Sequence, residues 1–174
     1  MLFRSRETLG HALDARTTLG PLINAAQRDR VAGLVDASVA RGARLVTGGT
    51  RPAGPGYFYR PTLLAELPAD APALREELFG PVMTVTPFDD DDEALARANE
   101  TEYGLAAYVW TRDLRAATRL GEGLEFGLVG VNDWYPVTPE APFGGMKQSG
   151  MGRESGAEGL LEYLDVKTRY VGLG

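Results

Sequence analysis

Apolar positions settle into helical spacing at Asn24. From there Val31, Leu34, Val35 and Val39 fall on one stripe, Asn24 is placed to cap, and Gln27 stands three residues on, as in a capping box. Gly42 closes this predicted helix. Ala43 to Thr47 reads as a short buried strand, Gly48 to Gly56 as a turn, and Tyr57 to Leu67 as a second extended run. Ala71 to Leu78 predicts a helical turn that runs into Phe79-Gly80-Pro81, where proline sets an extended exit.

Further strands are predicted over Val82 to Phe88, Leu105 to Trp110 and Gly127 to Asn132. Between them the acidic run Asp89 to Glu93 suits a helix N-terminus, with Leu95 and Ala98 as the buried face, and Asp113 to Leu124 forms the next helix. Ser155 to Leu164 has helical spacing at Leu160, Leu161 and Leu164, and Val166 to Leu173 alternates as a closing strand. Residues 1 to 20 show no sustained period and read as a poorly ordered lead-in. The βαβαβ alternation implies an α/β fold with a mostly parallel sheet flanked by helices, and ligands beyond the carboxyl ends of its strands.

Ala141 to Glu154, APFGGMKQSGMGRE, lies just past such an end. Its glycines require close backbone approach, so it reads as a shaped loop serving a site. A phosphate cradle is weakly supported, because the loop lacks the Gly-Lys-Ser/Thr order of a P-loop and its glycine spacing fails the dinucleotide fingerprint. Trp134 and Tyr135, in the preceding loop, either line an apolar pocket or pack that loop onto the core.

Composition narrows the chemistry. The chain has 174 residues, is 44% hydrophobic and carries a net charge of -6, which fits one globular domain and argues against a nucleic-acid surface. No apolar run is long enough to span a bilayer and MLFRSR lacks the apolar stretch of a signal peptide, so the expected compartment is the cytoplasm, without membrane attachment. There is no cysteine, and the one histidine is His11 in the lead-in, which removes thiol nucleophiles, a histidine triad and thiolate or histidine-rich metal sites. The remaining acids and bases are carboxylates: Glu76 and Glu77 before the Phe79-Gly80-Pro81 turn, and Glu154 after the glycine loop. For the adjacent pair, a catalytic role stands beside a plain one, with one carboxylate exposed and the other paired to a cation.

Four blocks in order, EELFGPV from Glu76, YGLAAYVWT from Tyr103, GLVGVN from Gly127 and PFGGMKQSGMGRE from Pro142, resemble the NAD(P)-dependent aldehyde dehydrogenases. The resemblance runs from GPLINAAQ, beginning at Gly20 after Leu19, through EYLDVKT at Glu162 to Thr168, whereas MLFRSRETLGHA shows no clear match. It implies residues 1–18 as an unmatched lead-in, 19–164 as the carboxyl-terminal part of the catalytic domain and 165–174 as an oligomerisation strand joining copies into a homo-oligomer. It further implies that Glu77 accepts hydrogen bonds from the nicotinamide ribose of NAD or NADP and that Phe79 packs near the nicotinamide. Phe143, with Trp134, Tyr135, Val137 and Thr138, would line the aldehyde channel, Glu154 would stand near the proton path, and Arg153 and Asp165 would form a structural pair.

Members of that family attack the aldehyde with a cysteine thiolate, and a glutamate activates the water that releases the acid. This chain has no cysteine, so the resemblance places the nucleophile, the general base and the dinucleotide-binding domain upstream, and the chain alone is expected not to oxidise aldehydes. The glycine loop and GLLEYL are similar to the succinate-semialdehyde branch. That branch often carries a serine for the substrate carboxylate where Val137 stands here, with Thr138 beside it, so an apolar or aromatic aldehyde is the alternative. A noncatalytic binding module on the same fold is the rival from another class.

Overall fold

The computed structural model describes residues 7–174, which fall into two compact units divided between Pro87 and Phe88. The MLFRSR opening lies outside the described residues.

In the first unit, helix α1 spans Ala25–Ala40, and Asn24 Oδ1 accepts from Gln27 N at 2.8 Å as its N-cap. The helix ends at Arg41, followed by Gly42 at φ +109°, a left-handed exit that glycine enters without a Cβ penalty. Val31, Leu34 and Val35 are buried as the stripe predicts, but Val39 is 39% exposed and Ser38, fully buried, takes its place. Strand β1 (Arg44–Thr47) pairs antiparallel with β2 (Thr62–Ala65), which pairs parallel with β3 (Val82–Val85). Contrary to expectation β1 is exposed along its length, because it is an edge strand whose register slips between Leu45 and Thr47. Helix α2 (Pro72–Arg75) follows, with proline in its first turn. Val31, Ala32, Val35, Tyr59, Leu64 and Ala73 make the core.

In the second unit α3 (Asp91–Asn99) begins at Asp90, whose Oδ1 accepts from Glu93 N, so the acidic run is a cap. Strand β4 (Tyr103–Gly104) leads into β5 (Ala106–Val109); α4 (Leu114–Gly123) is capped by Asp113, and β6 (Leu128–Val131) pairs parallel with β5. The glycine loop contains a short strand, β7 (Met146–Lys147), antiparallel to β4, and α5 (Gly156–Leu161) follows. No residue of α3 or α4 is buried, including Leu95 and Ala98.

Three corrections follow for the described residues. The strands form three small sheets, two of whose four ladders are antiparallel, rather than one mostly parallel sheet, because β1 and β7 reverse direction through glycine-rich turns. Part of the lead-in is paired: Leu9 bridges Leu19, and Thr8 O accepts from Thr18 N at 3.0 Å. Residues 165–174 form no strand here, since an alternating edge segment needs a ladder partner and this single chain supplies none.

Candidate functional site

In the first unit the site residues sit on the turn between α2 and β3. Arg30 Nη1 donates to Glu77 O at 2.6 Å, and Gln27 Nε2 donates to Leu78 O at 3.2 Å and Phe79 O at 3.1 Å. Three consecutive carbonyls are thereby tied to α1. Gln27 spends its side chain on this tether and not on the return bond of a capping box. Arg30 Nη2 also pairs with Glu76 Oε2 at 3.3 Å, so of the two glutamates it is Glu76 that meets a cation. The Glu77 carboxylate is exposed and has no ion-pair or hydrogen-bond partner among the described residues.

Phe79 has φ +45° and is 76% exposed. A phenylalanine in the left-handed region is uncommon, and the Gln27 bond to its carbonyl helps to hold it there. The turn therefore presents an unpaired carboxylate and, two residues on, an uncovered aromatic ring.

In the second unit Asn132, at φ +54°, ends β6. Its Oδ1 accepts from Thr111 N at 3.0 Å and its Nδ2 donates to Thr111 O at 2.8 Å, which fixes the start of the following loop. That loop carries Trp134 and Tyr135, 72% and 63% exposed, with ring centroids 5.5 Å apart and planes at 44°. The core reading of these aromatics is set aside by their exposure. Val137 is half-buried and Thr138 exposed, with Thr138 O accepting from Ala141 N at 3.2 Å.

The glycine loop is held at several points. Phe143 and Glu154 exchange backbone hydrogen bonds at 2.7 Å in each direction, so the structure brings these two predicted residues together, Phe143 half-buried and Glu154 exposed. Arg153 Nη1 donates to the carbonyls of Gly145 at 2.8 Å, Gly152 at 2.9 Å and Met151 at 3.3 Å. No ion pair joins Arg153 to Asp165, which is exposed. The Arg153 guanidinium is instead spent on the carbonyls of the glycine loop itself.

Lys147 Nζ donates to Asn99 O at 2.8 Å and Thr101 O at 3.2 Å and pairs with Glu125 Oε2 at 2.7 Å, placing its charge at the C-terminus of α3. Ser149 Oγ accepts from Gly104 N at 3.0 Å. A Cβ on Gly127 would stand 1.7 Å from Gly144 O, so only glycine lets the loop lie against the start of β6.

Sequence reasoning missed Gln27, Arg30, Lys147 and Asn99 as the residues that fix these two segments. Lys147 was visible only as a P-loop candidate, and its reach to Asn99, 48 residues away, has no local signal in the sequence. Glu77 with Phe79 and the loop residues belong to different units, and each set stands by itself.

The aldehyde dehydrogenase family model matches residues 4–169, which takes in most of the opening segment that showed no clear resemblance. Among curated relatives, a succinate-semialdehyde dehydrogenase of Paenarthrobacter nicotinovorans is 49% identical over 164 residues, covering 94% of this chain and 36% of its own length. An aldehyde dehydrogenase of Bacillus cereus, solved as a mutant, superposes with a TM-score of 0.90 at 39% identity, covering 97% of this chain and 34% of the other. The betaine aldehyde dehydrogenase of Staphylococcus aureus, solved in complex with NAD+, gives a TM-score of 0.85 at 40% identity, covering 91% of this chain and 32% of the other. The chain spans about a third of the length of the relatives it matches. With a family model over most of its length and solved relatives that share its fold, this chain belongs to the aldehyde dehydrogenase family.

Proposed function

We propose that this chain supplies the nicotinamide-side wall and the substrate loop of an NAD(P)-dependent aldehyde dehydrogenase that oxidises an aldehyde to its acid. The observation that carries the reading is the tethered turn: α1 fixes the carbonyls of Glu77, Leu78 and Phe79 while leaving the Glu77 carboxylate and the Phe79 ring uncovered. When bound, a nicotinamide cofactor supplies the hydride acceptor. Glu77 then accepts from the two ribose hydroxyls, and Phe79 limits the positions the nicotinamide can take, which serves the alignment that hydride transfer demands. Phe143, Trp134, Tyr135 and Val137 form an apolar wall for the aldehyde, with the Thr138 hydroxyl at its margin. Glu154, bridged to Phe143, holds a carboxylate for the proton released when the acid leaves.

The thiolate nucleophile and its base come from outside these 174 residues, which contain no cysteine. Residues 165–174, unpaired in one copy, would become an oligomerisation strand only on meeting a second copy; the exposure of Val166, Tyr170 and Leu173, each over 90%, supports that reading. Arg153 serves as the internal tie of the glycine loop. The described residues contain no helix long and apolar enough to cross a membrane, and the cytoplasm is the proposed compartment.

Succinate semialdehyde is the first substrate reading, from the similarity to that branch. A second is favoured by charge. Residues 133–140 carry Asp133 and Glu140 and no Lys or Arg, beside two exposed aromatic rings, which suits an apolar or aromatic aldehyde better than an anionic one. The test is to replace the matched third of the Paenarthrobacter nicotinovorans enzyme with this chain and measure NADH formation on succinate semialdehyde and benzaldehyde. Turnover on either supports the function and the larger kcat/KM chooses the substrate; a folded chimera that binds NAD yet turns over neither overturns it.

A further inference from the structure

Strand β6 carries a glycine inside it, where a side chain would ordinarily pack and where its absence often marks the close approach of another stretch of backbone. Gly130 is buried and sits opposite Tyr108 in the β5–β6 ladder. A Cβ on it would stand 2.6 Å from Asp133 O, 2.9 Å from Tyr108 Cδ1 and 3.1 Å from Pro136 Cγ. The chain leaving β6 therefore turns back and lies on the strand it has just left, with Gly130 as its seat. Of these three neighbours the Tyr108 ring, 46% exposed, can swing aside. The Asp133 carbonyl is backbone and moves only if the loop moves.

Further contacts hold the return. Asn132, at φ +54°, occupies a region that asparagine tolerates better than most residues, and its amide closes the two-bond clasp on the backbone of Thr111. Asn132 N also donates to Val109 O at 2.8 Å, so the reversal starts from a fixed point at the end of β5. One residue on, Asp133 Oδ1 accepts from Tyr135 N at 3.0 Å, an Asx turn that folds Asp133 to Tyr135 tightly. Pro136 is half-buried whereas Trp134 and Tyr135 are exposed, so the loop is anchored on either side of its two rings. The height and direction of the ring pair are set from β6.

We propose that Gly130 and Asn132 are specificity-determining positioning residues: the glycine seat and the asparagine clasp fix the depth at which Trp134 and Tyr135 stand, and so set which aldehyde side chains the site accepts. The inference rests on the functional reading above for placing these rings at the aldehyde. A short aldehyde that ends before the rings is indifferent to their position. One that carries a ring must pack against them, and in an apolar pocket a misfit the size of one methylene is worth roughly tenfold or more in kcat/KM.

Three variants test it: Gly130→Ala lifts Asp133 and Pro136, Asn132→Gly keeps the positive φ but drops the clasp, and Gly121→Ala is the control, since a Cβ there meets nothing within 4 Å. In the 174-residue chain with Trp110→Phe, which leaves Trp134 as the one indole, the indole N–H resonance should move in Gly130→Ala. Amide exchange at Tyr135 should speed by about tenfold in Asn132→Gly, with Gly121→Ala unchanged in both respects. In the chimera described above, both variants should lower kcat/KM on benzaldehyde by about tenfold through KM, change propanal by less than about twofold and leave KM for NAD unaltered. An unmoved indole with unchanged exchange overturns the proposal, as does an equal loss on both aldehydes, which would make the two residues merely structural. If the indole moves and neither aldehyde responds, or the parent chimera turns over neither, the seat stands while the functional reading of the rings fails and the specificity role falls with it.

Discussion

Ser38→Ala gives a quantitative test of how the cofactor-side turn is seated. Ser38 is fully buried; its Oγ donates to Leu34 O at 2.8 Å and accepts from Ala73 N at 3.0 Å. Ala73 lies in the first turn of α2, whose N-cap, Ala71, offers no side-chain acceptor, so a serine on another helix satisfies one of the orphan amides. Alanine leaves that amide buried and unpaired, which costs about 1–3 kcal/mol, while Leu34 O keeps its helical partner. We expect a loss of about 2 kcal/mol, within the range for removing an N-cap. Hydrogen exchange of the α1 and α2 amides under native conditions measures it. Tryptophan fluorescence, which reports only the second unit because both tryptophans, Trp110 and Trp134, lie there, serves as the control. A loss below about 0.5 kcal/mol in α1 would refute the argument, since surface substitutions alone reach that size.

Other outcomes follow from single contacts. Lys147→Met removes two charge-assisted bonds to Asn99 O and Thr101 O and an ion pair whose partner Glu125 is 59% exposed and so adds little. Exchange at Gln148 and Ser149 should rise roughly tenfold or more, with Lys147→Arg intermediate; unchanged exchange would show that β7 holds the loop without the lysine. Tyr59 is buried and burial pushes its phenol pKa up; among the described residues its hydroxyl has no hydrogen bond of good geometry, because the nearby Thr62 hydroxyl, which pulls the other way, is already engaged with Gly49 N and Arg60 O. A raised folded-state value means that its contribution is complete below the unfolded pKa near 10 and is lost as pH rises from there through the folded value. Tyr59→Phe should therefore leave neutral stability equal or higher and flatten the decline above pH 10; a clear loss at pH 7 would mean that the hydroxyl is satisfied after all.

The elements with local signals were legible. Asn24, Asp90 and Asp113 cap helices as their side chains suggest, and the strands at Val82, Ala106 and Leu128 begin within the extended runs read from alternation. Direction and partnership were not legible. β1 and β2 are antiparallel because a glycine turn joins them, and β4 finds β7 more than forty residues away, a pairing no window of sequence contains. The candidate residues were named from their motifs, whereas the side chains that seat their segments act across long separations: Gln27 and Arg30 reach Glu77 to Phe79, and Lys147 reaches Asn99. The apolar positions of α3 and α4, Leu95, Ala98 and Leu120 among them, are half-buried, so their amphipathic pattern was legible although its full burial was not reached.

The central claim is that the turn tied down by α1 holds the nicotinamide ribose through Glu77. In the chimera carrying this chain as its matched third, Glu77→Gln keeps the size of the side chain and removes its charge and one of its acceptors, a change of about 1.4 kcal/mol in a charge-assisted contact, or tenfold. The measurement is KM for NAD in the chimera with and without Glu77→Gln, alongside Glu76→Gln, whose carboxylate is occupied by Arg30. The account predicts a rise of about tenfold for Glu77→Gln and little change for Glu76→Gln; equal values for Glu77→Gln and the parent chimera would contradict it.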